Sequence, residues 1–310
     1  MMVYRRVERE YKYLNRSPDC SHPSSSFSHP SFKLWLMLKR LLSNFIRTTT
    51  KYPVRNTSHF SSHHHQSLHT HNRMPTRSPN PTTGKLAQVS SLTTHAETHL
   101  LTPSPLLSSA LTTSLSSGIP PITISPLQGQ FLALQCKLIG ATRILEIGTL
   151  GGYSTLWFLS TGAHVTSIEI NPRHRDIAMK NIAAAGEEVA GRAEIILGAA
   201  LDVMPRLREE GRGGFDFVFL DGDWGEQGEC FVEAVGLCRR GGVVYVDNVV
   251  REMFEEGGVD GDGDGEGGRE TLVSRVGRME GVSATLISTV SGWKKDPEEM
   301  VDGFLLAVVE

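Results

Sequence analysis

Three side chains in this 310-residue sequence could share one hard cation. The apolar run Phe215-Asp-Phe-Val-Phe-Leu220 ends in Asp221-Gly-Asp223, and Gly242-Val-Val-Tyr-Val246 ends in Asp247-Asn248. If both runs are neighbouring parallel strands, these acids meet at the carboxyl edge of a sheet, where open α/β folds bind ligands. Two carboxylates and an amide, completed by water and substrate oxygens, suit an octahedral cation such as Mg²⁺ or another divalent ion.

A second constellation lies upstream. Ile144-Leu-Glu-Ile-Gly-Thr-Leu-Gly-Gly-Tyr-Ser-Thr155 joins an apolar run to a glycine-rich turn and a helix start. Glycines let a nucleotide-like ligand approach the backbone, and the following N–H groups can meet an anionic part of it. The dinucleotide pattern GxGxxG would need glycine at 150, where Leu150 stands, which disfavours a nucleotide-dependent oxidoreductase. Glu169 ends the next apolar run, 21 residues after Gly148, and a carboxylate there can accept both hydroxyls of a ribose. Glu146 sits among Ile144, Leu145 and Ile147 and needs a partner, because burying a lone carboxylate is costly. A local hydrogen bond near the turn is one option, and the backbone N–H groups are another.

The elements that must position these groups follow from periodicity. Strands are predicted at Arg143–Ile147, His164–Ile170, Ala193–Leu197, Phe215–Leu220, Gly242–Val246, Ala284–Val290 and Phe304–Val309, with helices filling the first four gaps and a fifth near Glu270–Met279. Short helices are predicted at His95–Leu101 and Pro105–Ser116, and a better one at Pro126–Ile139. The alternation predicts an α/β, doubly wound, seven-stranded and mostly parallel sheet. The connection between the last two strands is too short for a parallel crossover, so an antiparallel pair should close one edge.

Composition divides the chain. Residues 1–96 carry 14 Lys+Arg against 3 Asp+Glu, and the remainder carries 17 against 31. Residues 1–85 read as a disordered basic Ser/His-rich extension, and 86–310 as the folded domain. Within the extension, His63-His64-His65 reads as a solvated tract. The Met37–Lys51 segment would look like a mitochondrial presequence if translation starts at Met37, although Glu8, Glu10 and Asp19 argue against such a signal; otherwise a cytoplasmic protein is expected. Gly257–Gly268, inside an acidic loop expected to be flexible over 255–269, imitates the start of a calcium loop. Thr271 stands where that loop needs glutamate. Four scattered cysteines without CxxC disfavour a disulfide framework or zinc site. No apolar run reaches the roughly 18–20 residues that span a bilayer.

Taken together, these motifs resemble the metal-dependent class I O-methyltransferases of the catechol and caffeoyl-CoA type, O-methyltransferase family 3, over about residues 90–310. The resemblance is carried by Ile124-Ser-Pro-Leu-Gln-Gly-Gln-Phe131, Glu146–Thr155, Ile168-Glu-Ile-Asn-Pro172, Gly198-Ala-Ala-Leu201, Phe219-Leu-Asp221, Val246-Asp-Asn-Val249 and Asp302-Gly-Phe-Leu-Leu-Ala-Val308. It implies a Rossmann-like methyltransferase that uses S-adenosylmethionine and Mg²⁺ to methylate a small phenolic acceptor. It implies cofactor contacts from Ile124 (through its backbone), Glu146, Gly148, Ser154, Glu169, Ala199 and Asp221, with metal ligation by Asp221, Asp247 and Asn248. The methionyl ammonium then becomes a further candidate partner for Glu146, and Ser154 holds the cofactor carboxylate or simply caps its helix. No nucleic-acid or membrane partner is expected, and a homodimer follows only by analogy.

One departure stands out. The family usually carries lysine three residues after the first metal aspartate, and this chain has Trp224. Tryptophan cannot take a proton, so Asp221 would act through the metal alone, or Asp223, Glu226, Lys294 or Lys295 would serve as base. The alternative function is a cofactor-binding protein with weak or lost catalysis and a regulatory role.

Overall fold

The structure is a computed structural model that describes residues 81–255, 270–293 and 299–310. All of these lie in the unit formed by residues 74–310, separate from residues 1–73. The histidine run, the Met37 segment, the acidic loop, Lys294 and Lys295 fall outside the described residues.

The described chain opens with three helices, α1 (Pro81–Leu100), α2 (Pro105–Ser116) and α3 (Pro126–Leu138). Then β1 (Arg143–Ile147), α4 (Tyr153–Leu159), β2 (His164–Glu169), α5 (Pro172–Ala183), α6 (Glu187–Ala190), β3 (Ala193–Leu197), α7 (Ala200–Glu209) and β4 (Phe215–Leu220) alternate. A 3₁₀ turn (Trp224–Glu226) leads into α8 (Gln227–Leu237), β5 (Cys238–Val246), α9 (Val249–Glu255), α10 (Leu272–Gly277), β6 (Val282–Val290) and β7 (Val301–Val309).

The seven strands lie in the order β3-β2-β1-β4-β5-β7-β6. The first five are parallel, and β7 pairs antiparallel with both β5 and β6. The chain winds outward from β1 to β3 and then returns beside β1 as β4, so the strand order reverses between β1 and β4. A crevice opens outside the carboxyl ends at such a reversal.

Central strands read as continuous apolar runs because both faces are covered. Every residue of β4 is buried. Phe217 and Phe219 join Ile144, Leu132, Phe158 and Tyr245 on one face, while Val218 and Leu220 join Leu145, Met204, Leu207 and Phe231 on the other. At the amino edge Asp216 ties three strands together. Its Oδ2 accepts from the N–H groups of Thr142 (2.7 Å) and Arg143 (2.9 Å) and from the Thr142 hydroxyl, and its Oδ1 meets Arg239 Nε at 2.5 Å. This clamp fixes the register of β1, β4 and β5, and so the alignment of their far ends.

Helix starts follow a shared device, a capping side chain followed by proline at the first helical position. Ser104, Ser125 and Asn171 each accept a backbone N–H from the first turn of α2, α3 and α5. Three expectations need correction. The helix expected at His95–Leu101 runs from Pro81. The stretch before His95 lacks apolar periodicity, and its Ser90–Thr93 end meets a distant loop, where the Gly292 N–H donates to Thr93 Oγ1 at 3.0 Å. Helix α9 was not expected, because its seven residues give too short a window for a period. Strand β5 begins at Cys238 rather than Gly242, since its irregular, glycine-bearing start still pairs with Phe215. Among the described residues no helix is long and apolar enough to cross a membrane.

Candidate active site at the strand-order reversal

Backbone hydrogen bonds bring the strand ends side by side. The Asp221 N–H donates to the Ile147 carbonyl and the Asp247 N–H to the Leu220 carbonyl, both at 2.9 Å, so the ends of β1, β4 and β5 form one row. The approach of β1 to β4 is close enough to require glycine. A Cβ on Gly148 would lie 2.1 Å from the Asp221 carbonyl oxygen, and its φ of +92° is left-handed. Leu150 adopts φ +52° without that freedom, and its N–H is held by Glu169 Oε2 at 2.8 Å.

Glu169 is nearly buried, and its other oxygen accepts from the Asn171 N–H at 2.8 Å. Both oxygens are therefore oriented by backbone and keep further lone pairs for hydroxyl donors. Ser154 is buried in the first turn of α4. It is not the helix cap, because Gly152 holds that position and no side chain caps it. Ile124 is buried just ahead of the Ser125 cap, and Ala199 is the half-buried residue that starts α7 after β3.

Glu146 is fully buried. Its Oε2 accepts from the Thr155 hydroxyl at 2.5 Å and the Ser167 hydroxyl at 2.6 Å, and Ser167 in turn meets Thr149. Its partners are thus side-chain hydroxyls rather than the backbone N–H groups considered from the sequence. Among the described residues its Oε1 makes no hydrogen bond of ordinary geometry, although the nearby Ser154 hydroxyl also favours the charged carboxylate. Burial pushes this carboxyl up to about 7, against the hydroxyl hydrogen bonds that favour its charged form.

The acidic row has supports that sequence reasoning missed. Gln128 Nε2 donates to Asp247 Oδ1 at 2.9 Å and to the Tyr245 hydroxyl at 3.4 Å. Gln227 Nε2 donates to the Asp247 carbonyl at 2.9 Å. Asn248 adopts φ +60° and donates its Nδ2 to Asp302 Oδ2 at 2.8 Å. Burial, and then the charge of Asp302, push the Asp247 carboxyl up to about 6, against the Gln128 hydrogen bond. Tyr245 feels the whole cluster: burial and Asp247 first, then Asp221 and Asp302, hold its hydroxyl well above the ordinary range. Among the described residues no three histidine, cysteine, aspartate or glutamate side chains form a metal-binding group. Asp221 follows β4, and Asp247 and Asn248 follow β5, with Asp302 bonded to Asn248.

Asn181, also missed, reaches from α5 to the carbonyls of Gly151 (2.8 Å) and Ala110 (3.4 Å), tying the glycine turn to α2. Gln128 and Asp302 both lay inside motifs singled out in the sequence, but nothing local marked them as supports. Trp224 is half-buried at the start of the 3₁₀ turn, which Asp223 caps through the Gly225 N–H at 2.9 Å. Glu226 ends that turn.

A doubly wound sheet with a glycine turn, a strand-end glutamate and an acidic row at its reversal point defines an α/β enzyme that handles a nucleoside-bearing cofactor. A family model described as O-methyltransferase matches residues 102–272. The chain is 41% identical over 215 residues to a catechol O-methyltransferase of Mycobacterium tuberculosis, covering 66% of this chain and 89% of the relative. It is 37% identical over 207 residues to a catechol O-methyltransferase of Niastella koreensis, covering 65% and 89%. The crystal structure of the O-methyltransferase from Bacillus cereus in complex with SAH is similar with a TM-score of 0.61 at 31% identity, covering 73% of this chain and 100% of that one. The chain belongs to O-methyltransferase family 3, enzymes that move a methyl group from S-adenosylmethionine to a hydroxyl oxygen.

Proposed function

We propose that this enzyme methylates one hydroxyl of a small catechol-like phenol, with a divalent cation held by Asp221, Asp247 and Asn248. The observation that supports the reading most is the single row of strand ends formed by Gly148, Asp221 and Asp247. Charge supports it as well. Asp221, Asp247 and Asp302 cluster around Tyr245, and Arg251 ion-pairs with Asp302. The named activity of the two relatives supports the acceptor class.

A bound divalent cation supplies Lewis acidity, which brings a phenolic hydroxyl toward ionisation near neutral pH. The chain's own residues do the rest. Glu169, oriented by two backbone N–H groups, accepts the ribose hydroxyls. Ser154 and the main chain of the glycine turn hold the methionyl carboxylate. Ile124 (through its backbone), Gly148 and Ala199 line the cofactor, and Glu146 Oε1, without a hydrogen bond of ordinary geometry among the described residues, fits a donor from it. Asp221 would serve both cofactor and cation, so that donor and acceptor would share one strand end. Such positioning is a large part of what an enzyme contributes to a displacement.

The test is a panel of labelled methyl-transfer reactions with Mg²⁺. Catechols should become labelled, and monophenols, which cannot chelate through two oxygens, should not. Trp224 favours a second reading, weak or lost catalysis, because a half-buried indole stands where the family usually carries lysine. That reading predicts cofactor binding without product on any catechol, and recovery of turnover in Trp224→Lys.

A further inference from the structure

Asp302 lies near the start of β7, at the junction between the acidic row and α9. Its Oδ2 accepts from Asn248 Nδ2 at 2.8 Å and pairs with Arg251 Nη2 at 2.6 Å. Its Oδ1 accepts from its neighbour, the Gly303 N–H, at 2.8 Å, and from the Arg251 N–H at 3.3 Å. The Asp302 and Arg251 side chains are 14% and 19% exposed, so water competes weakly for these bonds.

A carboxylate paired with arginine offers acceptors only, whereas an amide has a donating end and an accepting end. Only the nitrogen end of Asn248 can face Asp302, so the amide oxygen is turned the other way. The terminal torsion of asparagine is otherwise broad and nearly two-fold, so an unrestrained side chain presents either end. The distinction matters at a cation site. An amide oxygen is a ligand for a hard cation, and an amide NH₂ is not. The backbone of Asn248 is already set in the left-handed region, which leaves the side-chain flip as the remaining freedom.

The geometry points to Asp302 as a positioning residue that fixes the flip of Asn248, so that its oxygen rather than its nitrogen is presented to the cation. This rests on the cation reading above. Asp302 itself is not a ligand in this account. It sets the number of oxygen ligands the chain offers, three instead of two, through a hydrogen bond across the β5–β7 boundary. Gln128 holds the neighbouring Asp247 by donating to its Oδ1.

The test reads metal binding and not turnover: Mn²⁺ affinity of the full chain, from the resonance signal of the free ion. Asp302→Leu should weaken Mn²⁺ binding about 10–100-fold, the usual effect of losing an outer partner of a metal ligand. Asp302→Asn keeps an acceptor for the Asn248 amide and should recover most of that loss. Both variants remove the same negative charge, so the difference between them is not an effect of charge. Arg251→Met leaves the Asn248 bond in place and should bind Mn²⁺ no more weakly than the parent chain. Thermal unfolding of each variant establishes that a folded protein is being titrated. Equal losses in Asp302→Leu and Asp302→Asn would overturn the orientation role and leave Asp302 as a charge. Absence of a loss in Asp302→Leu would overturn it as well. Failure of the parent chain to bind Mn²⁺ would instead overturn the cation reading on which it rests.

Discussion

At the residue scale, the least ordinary group is Glu146, a fully buried carboxyl with one oxygen held by two hydroxyls and the other without a hydrogen bond of ordinary geometry among the described residues. Its folded-state pKa of about 7 lies above the usual ~4.3 for glutamate. The sign follows from linkage: the stability it contributes is complete below ~4.3 and is lost as pH rises through about 7. Thermal unfolding of the cofactor-free protein should therefore show a stability decline across that window, and Glu146→Gln should flatten it while keeping an acceptor for Thr155 and Ser167. An unchanged decline in the variant would show that another group titrates. Glu169, Asp221, Asp247 and Asn248 were legible in the sequence as polar residues at the ends of apolar runs, and Glu146 as a carboxylate within one. Their supports were not. Gln128, Asn181 and Asp302 act on partners 119, 71 and 54 residues away, and only the folded sheet brings those pairs together.

At the element scale, the parallel strands were readable because burial on both faces forces uninterrupted apolar runs. The antiparallel closure by β7 was readable from the length of a connection. Helix α1 and helix α9 were not, since one is carried by tertiary contact and the other is too short for periodicity. Asp216 is the element-scale determinant that most directly governs the site, because it registers β1, β4 and β5 from the opposite edge. Burial raises its carboxyl, but Arg239 and the Thr142 and Arg143 N–H groups outweigh that and hold it at about 2. The stability from this depressed pKa is present above the unfolded value of ~3.9 and is lost as pH falls through about 2. Asp216→Asn should lower stability at neutral pH by about 1–3 kcal/mol, the usual range for losing hydrogen bonds to a charged group. It should also weaken the acid dependence expected of the parent protein below ~3.9. Circular dichroism followed through acid titration of both proteins measures this, and parallel curves would contradict the clamp.

At the scale of the whole molecule, the sheet is unevenly protected. The central strand β4 is buried along its whole length, while β6 is the edge strand and most of its residues are exposed. Amide exchange should be slowest in β1, β4 and β5 and fastest on the outer side of β6, as few buried contacts imply low local stability. Strong protection of both sides of β6 would mean that a partner covers that edge in solution. The same architecture brings the glycine turn and the acidic row together at one place, the carboxyl edge where the strand order reverses. The most direct measurement of that account is methyl transfer from labelled S-adenosylmethionine to a catechol, followed with Mg²⁺, with a chelator, and after Mg²⁺ is restored. The account predicts turnover that stops on chelation, returns with the metal, and is absent in Asp247→Ala. Turnover that continues at the same rate in the chelated parent enzyme would contradict it.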